Sequence, residues 1–356
     1  MTAVDRALVV GHGYAGRRFV AAIRYLASIG VPVELVGVCD RSAAQLSGTV
    51  AGYTDLSEAL AALRPSVVCV TVNEADHMDV YRLLGGYERA LVISEKPLTA
   101  SLRDLDQATA MLRHHAFAMN LVERFSPVVR DYRAWARRTG RLTVMRVESF
   151  WGKHRIADPR PTIGVLSELI HPVDLIRYLF PDNDLRILGG HGVESDFSPH
   201  SASILDSLDL HATMGDAPVL LHSSYAWPTR QRTISALLWS PTEGMIRVEL
   251  EFDTPHWDCD RLDISRIASN GRWARIHHSA TDVATLPLPI QGVGKVVNFL
   301  DSSLRAARTG RADDELVDLT TAGELQKICD DIDRSIRRFD APACYRRDAE
   351  HVEVEV

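Results

Sequence analysis

Long apolar stretches, clustered charge and paired cysteines are all scarce in this 356-residue sequence, and each shortage removes a class of protein. The longest apolar runs are strand-length, and no charged segment at the start leads into a long apolar one. Neither membrane insertion nor secretion is therefore expected. The five cysteines, Cys39, Cys69, Cys259, Cys329 and Cys344, are odd in number, widely spaced and partly inside apolar runs. That suits reduced thiols in the cytoplasm better than a disulfide framework or a structural zinc site. The 40 Lys and Arg are scattered among 47 Asp and Glu, for a net charge of -7, so no field gathers a nucleic-acid backbone or an anionic bilayer. The expected partner is a small molecule. Internal repeats, a Walker loop, a nucleophile elbow and a zinc-protease motif are all missing.

What is present is enough apolar residue, 46% of the chain, to fill two cores. Up to about Asn120, short β-branched runs at 8–10, 35–39, 67–71, 91–94 and 117–119 alternate with helix-period segments at 15–29, 56–63, 77–84 and 102–113. This is the rhythm of βαβ units in a doubly wound parallel sheet. After a further helix at 127–139 come longer alternating segments, at 142–150, 203–213, 219–225, 233–239 and 245–252, which predict a mostly antiparallel sheet. A helix at 165–179 interrupts them, and helices at 294–308 and 320–337 close the pattern. The expected fold is an α/β N-terminal Rossmann domain over 1–121, followed by an α+β domain over 122–356 whose last helices return to the first. Residues 351–356 read as a frayed tail or an edge strand. One face of the second sheet needs cover, which predicts a homodimer or tetramer.

The first strand runs into Gly11-His12-Gly13-Tyr14-Ala15-Gly16 and then into a helix. Gly11 permits a tight turn, Gly13 lets the backbone approach a pyrophosphate, and Gly16 allows close helix packing, while the amides at the helix start face the anion. Asp40 ends the second strand 24 residues after Gly16, where a carboxylate accepts from ribose hydroxyls and repels a 2′-phosphate. NAD is the expected cofactor. Arg41 stands beside Asp40 and keeps NADP as the alternative. Ser94-Glu95-Lys96-Pro97 follows the strand at 91–94, which puts a carboxylate and an ammonium at the ligand-binding edge of the sheet, on a turn suited to a cis proline.

Together with Thr71-Val72-Asn73, His77, Arg124-Phe125-Ser126-Pro127 and Ile170-His171-Pro172-Val173-Asp174, these motifs make the chain resemble the Gfo/Idh/MocA family of glucose-fructose oxidoreductases and inositol dehydrogenases. The resemblance spans nearly the whole chain. It implies cofactor contacts from the glycine turn, Asp40, Arg41, Thr71, Asn73, His77, Glu95 and Lys96, and a lysine and histidine, Lys96 and His171, flanking the reacting carbon of a sugar-like substrate. It further implies an antiparallel-sheet domain that forms the substrate wall and commonly an oligomer face.

His171 and Asp174, three apart, share one helix face and form a candidate acid/base pair. Many family members carry an aspartate four residues before the histidine, after a run of glycines; here that position is Ser167, with Glu168 beside it and only Gly164 left of the run. Serine is too weak a base to replace a carboxylate. Further substrate-contact candidates are Arg124, Ser167, Glu168 and a basic lip of Lys153, His154 and Arg155, with a solvated loop the alternative for the lip. His256, Asp258, Cys259, His277 and His278 match no structural zinc spacing, and no metal is expected. The leading expectation is a hydride transfer at a secondary alcohol or ketone of a sugar, cyclitol or nucleotide-linked sugar. The alternatives are reduction of an imine or conjugated group, and a non-catalytic dinucleotide sensor.

Overall fold

The structure, a computed structural model, describes residues 4–345 apart from 47, 49, 182, 183, 202 and 343. In chain order it has β1 (Asp5–Val10), α1 (Tyr14–Ser28), β2 (Val33–Cys39), β3 (Gly52–Tyr53), α2 (Leu56–Leu63), β4 (Val67–Val70), α3 (His77–Leu84), β5 (Leu91–Ser94), α4 (Leu105–Leu112) and β6 (Ala116–Met119). There follow α5 (Pro127–Thr139), β7 (Thr143–His154), α6 (Leu166–Leu179), β8 (Leu185–Ser195), β9 (Ile204–Met214), β10 (Ala217–Ser224), β11 (Ala226–Ser240) and β12 (Gly244–Glu251). The last are β13 (Arg261–Ile267), β14 (Trp273–Ala280), α7 (Gly294–Thr309), α8 (Leu319–Ser335) and β15 (Ile336–Asp340). The described residues divide into two compact units. One is drawn from Met1–Ala134, His256–Asp260 and Ala280–Asp330, the other from Trp135–Pro255, Arg261–Ser279 and Asp331–Val356.

In the first unit six parallel strands lie in the order β3-β2-β1-β4-β5-β6. Every residue of β4 and β5 is buried, as expected for strands covered on both faces. The strand order reverses between β1 and β4, so the carboxyl ends of these strands form the ligand crevice of a doubly wound sheet. Helix α1 buries Phe19, Ile23 and Leu26 against one face, and α7 joins it there, with Phe299 edge-on to both Phe19 and Phe125.

The second unit is built on a nine-stranded sheet in the order β14-β13-β12-β11-β7-β10-β9-β8-β15. Most neighbours run antiparallel, but β7 with β10 and β8 with β15 are parallel. Helix α6 is buried along nearly all its length, including Leu169, Ile170, Val173 and Ile176. The predicted helix at 320–337 stops at Ser335, and the next five residues form β15 beside β8 instead. Strands β3, β8, β13, β14 and β15 were not expected from the sequence pattern. The predicted tail at 351–356 lies outside the described residues. Among the described residues, no helix is long and apolar enough to cross a membrane.

Candidate active site

The glycine turn is shaped by space. Gly11 has φ +92, and a Cβ there would lie 2.7 Å from the Val72 nitrogen; a Cβ on Gly16 would lie 1.9 Å from the Gly11 carbonyl oxygen. Neither position admits a side chain. Gly13 has nothing within 4 Å of its Cβ position, so the backbone is open on the side where a pyrophosphate approaches. It also caps α1 without a side-chain bond, and no acidic residue stands in the first turn, which suits an anion at this helix start. Beside them, Gly13, Tyr14, Arg17, Arg18, Ala21, Gln45 and Val293 line a cavity of about 440 Å³. These features fit a bound dinucleotide. Thr71 serves the turn itself, its Oγ1 lying 2.6 Å from the Gly11 oxygen and 3.0 Å from that of Val10.

Asp40, just past β2, accepts from the His12 backbone N–H at 2.7 Å on one oxygen and from that of Ser42 at 2.9 Å on the other. The His12 ring donates through Nδ1 to the Gln45 carbonyl at 2.6 Å. The carboxylate therefore closes the turn. Arg41 turns to Asp76, at 3.0 Å.

Lys96 stands at the carboxyl end of β5, half-buried, and its bond to Pro97 is cis. Glu95 beside it is fixed twice: its N–H bonds the Val70 oxygen at 2.9 Å, and its Oε1 accepts from Asn120 Nδ2 at 2.7 Å. His77 is fully buried at the start of α3, and burial lowers its pKa, so the ring is neutral. Asn73 caps the short turn that leads into α3, accepting from Ala75 N–H at 3.1 Å. Arg124 is buried in the turn Val122–Phe125 of the same unit. Asn120 was not singled out from the sequence, although its place after β6 puts it on the same strand-end edge.

In the second unit α6 carries Ser167, Glu168, His171 and Asp174, all buried. Ser167 Oγ donates to the Gly164 oxygen at 2.9 Å and lies 2.9 Å from the Tyr225 hydroxyl. Glu168 is surrounded by donors: Trp151 Nε1 at 3.2 Å and Arg232 Nη2 at 2.7 Å on Oε1, and Lys153 Nζ at 2.6 Å on Oε2. Arg232 also reaches Asp253 at 2.6 Å. A carboxylate so engaged holds its neighbours and is poorly placed to take a proton. His171 stacks on Trp151, with ring centroids 6.2 Å apart and planes 16° from parallel. The expected basic lip is largely internal, since Lys153 is spent on Glu168 and Arg155 on Asp158 and the Arg160 carbonyl; His154 alone of the three is exposed. Trp151, Tyr225, Arg232 and Asp253 were not foreseen.

The grouping of His256, Asp258 and Cys259 with His277 and His278 has another explanation. Asp258 accepts from the Gly294 and Lys295 amides at the start of α7, and His278 bonds Asp263. Among the described residues, no set of three or more His, Cys, Asp or Glu is placed to hold a metal ion.

The doubly wound sheet and its glycine turn define an NAD-binding protein of the Rossmann kind. Residues 6–121 match GFO_IDH_MocA, described as "Oxidoreductase family, NAD-binding Rossmann fold", and this N-terminal region belongs to that family. No curated protein matches the sequence. Among solved structures, the chain is similar to UDP-N-acetylglucosamine 3-dehydrogenase from Acidithiobacillus ferrooxidans, at 17% identity and TM-score 0.69, over 94% of this chain and 98% of that one. It is similar to levoglucosan dehydrogenase in complex with NADH, at 13% identity and TM-score 0.74, over 94% and 97%. It also resembles the transcriptional regulator Gal80p from Kluyveromyces lactis, at 16% identity and TM-score 0.67, over 93% and 89%. These likenesses extend the shared fold through the second unit.

Proposed function

We propose that this chain is an NAD(H)-dependent oxidoreductase that moves a hydride between nicotinamide and a secondary alcohol or ketone carbon of a sugar or cyclitol. The observation that carries this reading is the Lys96 turn: an ammonium held at the carboxyl edge of a dinucleotide-binding sheet, with the Glu95 N–H on Val70 and the Asn120 bond to the Glu95 carboxylate fixing its base. Bound NAD(H) supplies or takes up the hydride. Lys96 manages the proton at the reacting oxygen and, when charged, stabilises negative charge there. His171 and Asp174 are the proposed further acid/base groups, and Asp40 favours NAD over NADP. The dehydrogenases among the similar folds act on sugar derivatives, which supports this substrate class. Because Lys153 and Arg155 are already paired with carboxylates, an uncharged sugar is favoured over a nucleotide-linked one. A reduced small-molecule enzyme of the cytoplasm is the proposed setting.

One observation favours a second reading. Ser167 offers no carboxylate and Glu168 is engaged by three donors, so the second unit suits reduction, in which an imine or conjugated acceptor needs a proton donor more than an alcohol needs a base. The test is turnover followed at the nicotinamide absorbance band with inositols, hexoses, amino sugars, nucleotide sugars and cyclic imines. NADH binding without turnover on any of them would replace both enzyme readings with a dinucleotide sensor.

A further inference from the structure

Trp151 of β7 touches two residues of α6 at once. Its ring runs nearly parallel to that of His171, with centroids 6.2 Å apart, and its Nε1 donates to Glu168 at 3.2 Å. We infer that Trp151 and Arg232 are positioning residues that set the plane of the His171 imidazole, Arg232 acting through Glu168 and Trp151; the inference rests on His171 being a group of the reaction site. An imidazole turns over a broad range about its second side-chain torsion, so a ring that must meet a substrate needs an external plane to settle on. Trp151 supplies that plane, 16° from parallel with His171. The indole is held in turn by its bond to Glu168.

Glu168 is 1% exposed, and a lone carboxylate there would be costly. Arg232, 2% exposed, removes that cost: one arm of its guanidinium takes Glu168 at 2.7 Å and the other takes Asp253 at 2.6 Å. Lys153 adds the second cation at 2.6 Å, so two anions and two cations balance. Buried ion-pair networks of this kind fix one arrangement of side chains more than they add stability. Here the network ends on Trp151, whose ring plane is nearly parallel to that of His171. Glu168 accordingly acts as an orienting group, and its position next to Ser167 is not a displaced catalytic carboxylate.

The test reads the His171 ring directly by proton NMR of the full chain, with the resonance identified by its loss in His171→Asn. In the wild type the ring protons are expected to be displaced by the Trp151 ring current, and the displacement is expected to vanish in Trp151→Leu. Arg232→Met is expected to lose much of it while NADH still binds. A quadruple variant, Lys153→Met with Glu168→Gln, Arg232→Met and Asp253→Asn, removes the ion pairs without stranding a charge, and the same loss is expected. An undisplaced ring in the wild type, or full displacement in either folded Arg232 variant, overturns the inference. Failure of both variants to fold and bind NADH overturns it too, because Arg232 would then be structural. No turnover is measured, so an unproductive substrate panel leaves this result standing, and a displaced ring does not rescue the proposed reaction.

Discussion

Gly16 packs against Gly11 so closely that a methyl group on Gly16 would stand 1.9 Å from the Gly11 carbonyl oxygen. The neighbouring Gly13 has open space instead. The two glycines should therefore fail differently. Gly16→Ala forces α1 away from β1 and is expected to destabilise the fold by about 1–3 kcal/mol, the usual cost of overpacking. Gly13→Ala is expected to leave the melting temperature near wild type and to weaken NADH binding, because the methyl fills the approach to the pyrophosphate. Thermal melts paired with NADH titrations separate the two; equal melting losses would mean that Gly13 also packs against the protein.

Asp40 joins cofactor choice to turn geometry. Wild type is expected to bind NAD(H) more tightly than NADP(H). Asp40→Ala removes the charge that repels a 2′-phosphate, so the preference should narrow or invert; NADH affinity should also fall, since the bonds to His12 and Ser42 go with it. Titrating both cofactors against both proteins is the check. A wild-type preference for NADP(H) would mean that Arg41 leaves Asp76 and governs the subsite.

These elements were legible because each lies within a few residues of a strand end. The parallel strands were legible for a related reason: buried on both faces, β4 and β5 contain no residue that must meet water. Strand β8 was hidden because glycine lowers strand propensity, yet its glycines are structural. A Cβ on Gly190 would lie 2.1 Å from the Asp209 oxygen of β9, and one on Gly192 would lie 2.5 Å from Leu205. Strand β14 hid in the opposite way, being exposed almost throughout and so without alternation. Strand β15 took over the end of a helical pattern once Ile336 paired with Gly190. The Glu168 network was invisible because its members meet only in space: Arg232 is 64 residues from Glu168, and no local motif links them.

Acid should weaken the fold through two histidines. His77 and His115 are both buried with lowered pKa values, chiefly by desolvation. The neutral His115 ring is fixed at both ends, Nε2 donating to the Leu84 oxygen at 3.0 Å and Nδ1 accepting from the Ala90 N–H at 3.1 Å. Protonating Nδ1 would break the second bond. Below the unfolded-state value of about 6.5, the unfolded chain takes up protons that the folded chain refuses, so stability is full above that pH and is lost as pH falls. Melting temperatures measured from pH 8 down to pH 5 are expected to drop, and a His77→Gln, His115→Gln variant should show a shallower drop. An equally steep profile in that variant would assign the acid sensitivity to other groups.

The nine-stranded sheet is expected to carry an interface between copies of the chain. Leu188, Trp239, Ile267 and Ile276 lie on its strands and are 56%, 43%, 45% and 39% exposed. Exposed apolar side chains on a sheet call for cover. Light scattering should find a dimer or tetramer at micromolar concentration, and Trp239→Glu with Ile267→Glu should shift it toward the monomer. A wild-type monomer under the same conditions ends this expectation.

The last prediction concerns Lys96. Its turn is fixed twice, by the Glu95 N–H on Val70 and by Asn120 on the Glu95 carboxylate. Substituting the ammonium alone should therefore leave the turn in place. Oxidation of an alcohol releases a proton as hydride leaves, and reduction of a ketone or imine consumes one as hydride arrives, so a proton-handling group is required in either direction. Such a group typically contributes about a hundredfold to ten-thousandfold. Lys96→Met keeps the length and apolar stem of the side chain while removing the proton. It is expected to lower kcat by roughly two to four orders of magnitude with NADH affinity nearly intact. His171→Ala should cost comparably if the imidazole donates the proton, and less if it only positions the substrate. The ratio of the two losses assigns the roles, provided both proteins bind NADH as wild type does. If Lys96→Met turns over the best substrate of the panel at a near wild-type kcat, the acid/base role proposed for Lys96 is wrong, while the NAD-binding fold around it stands.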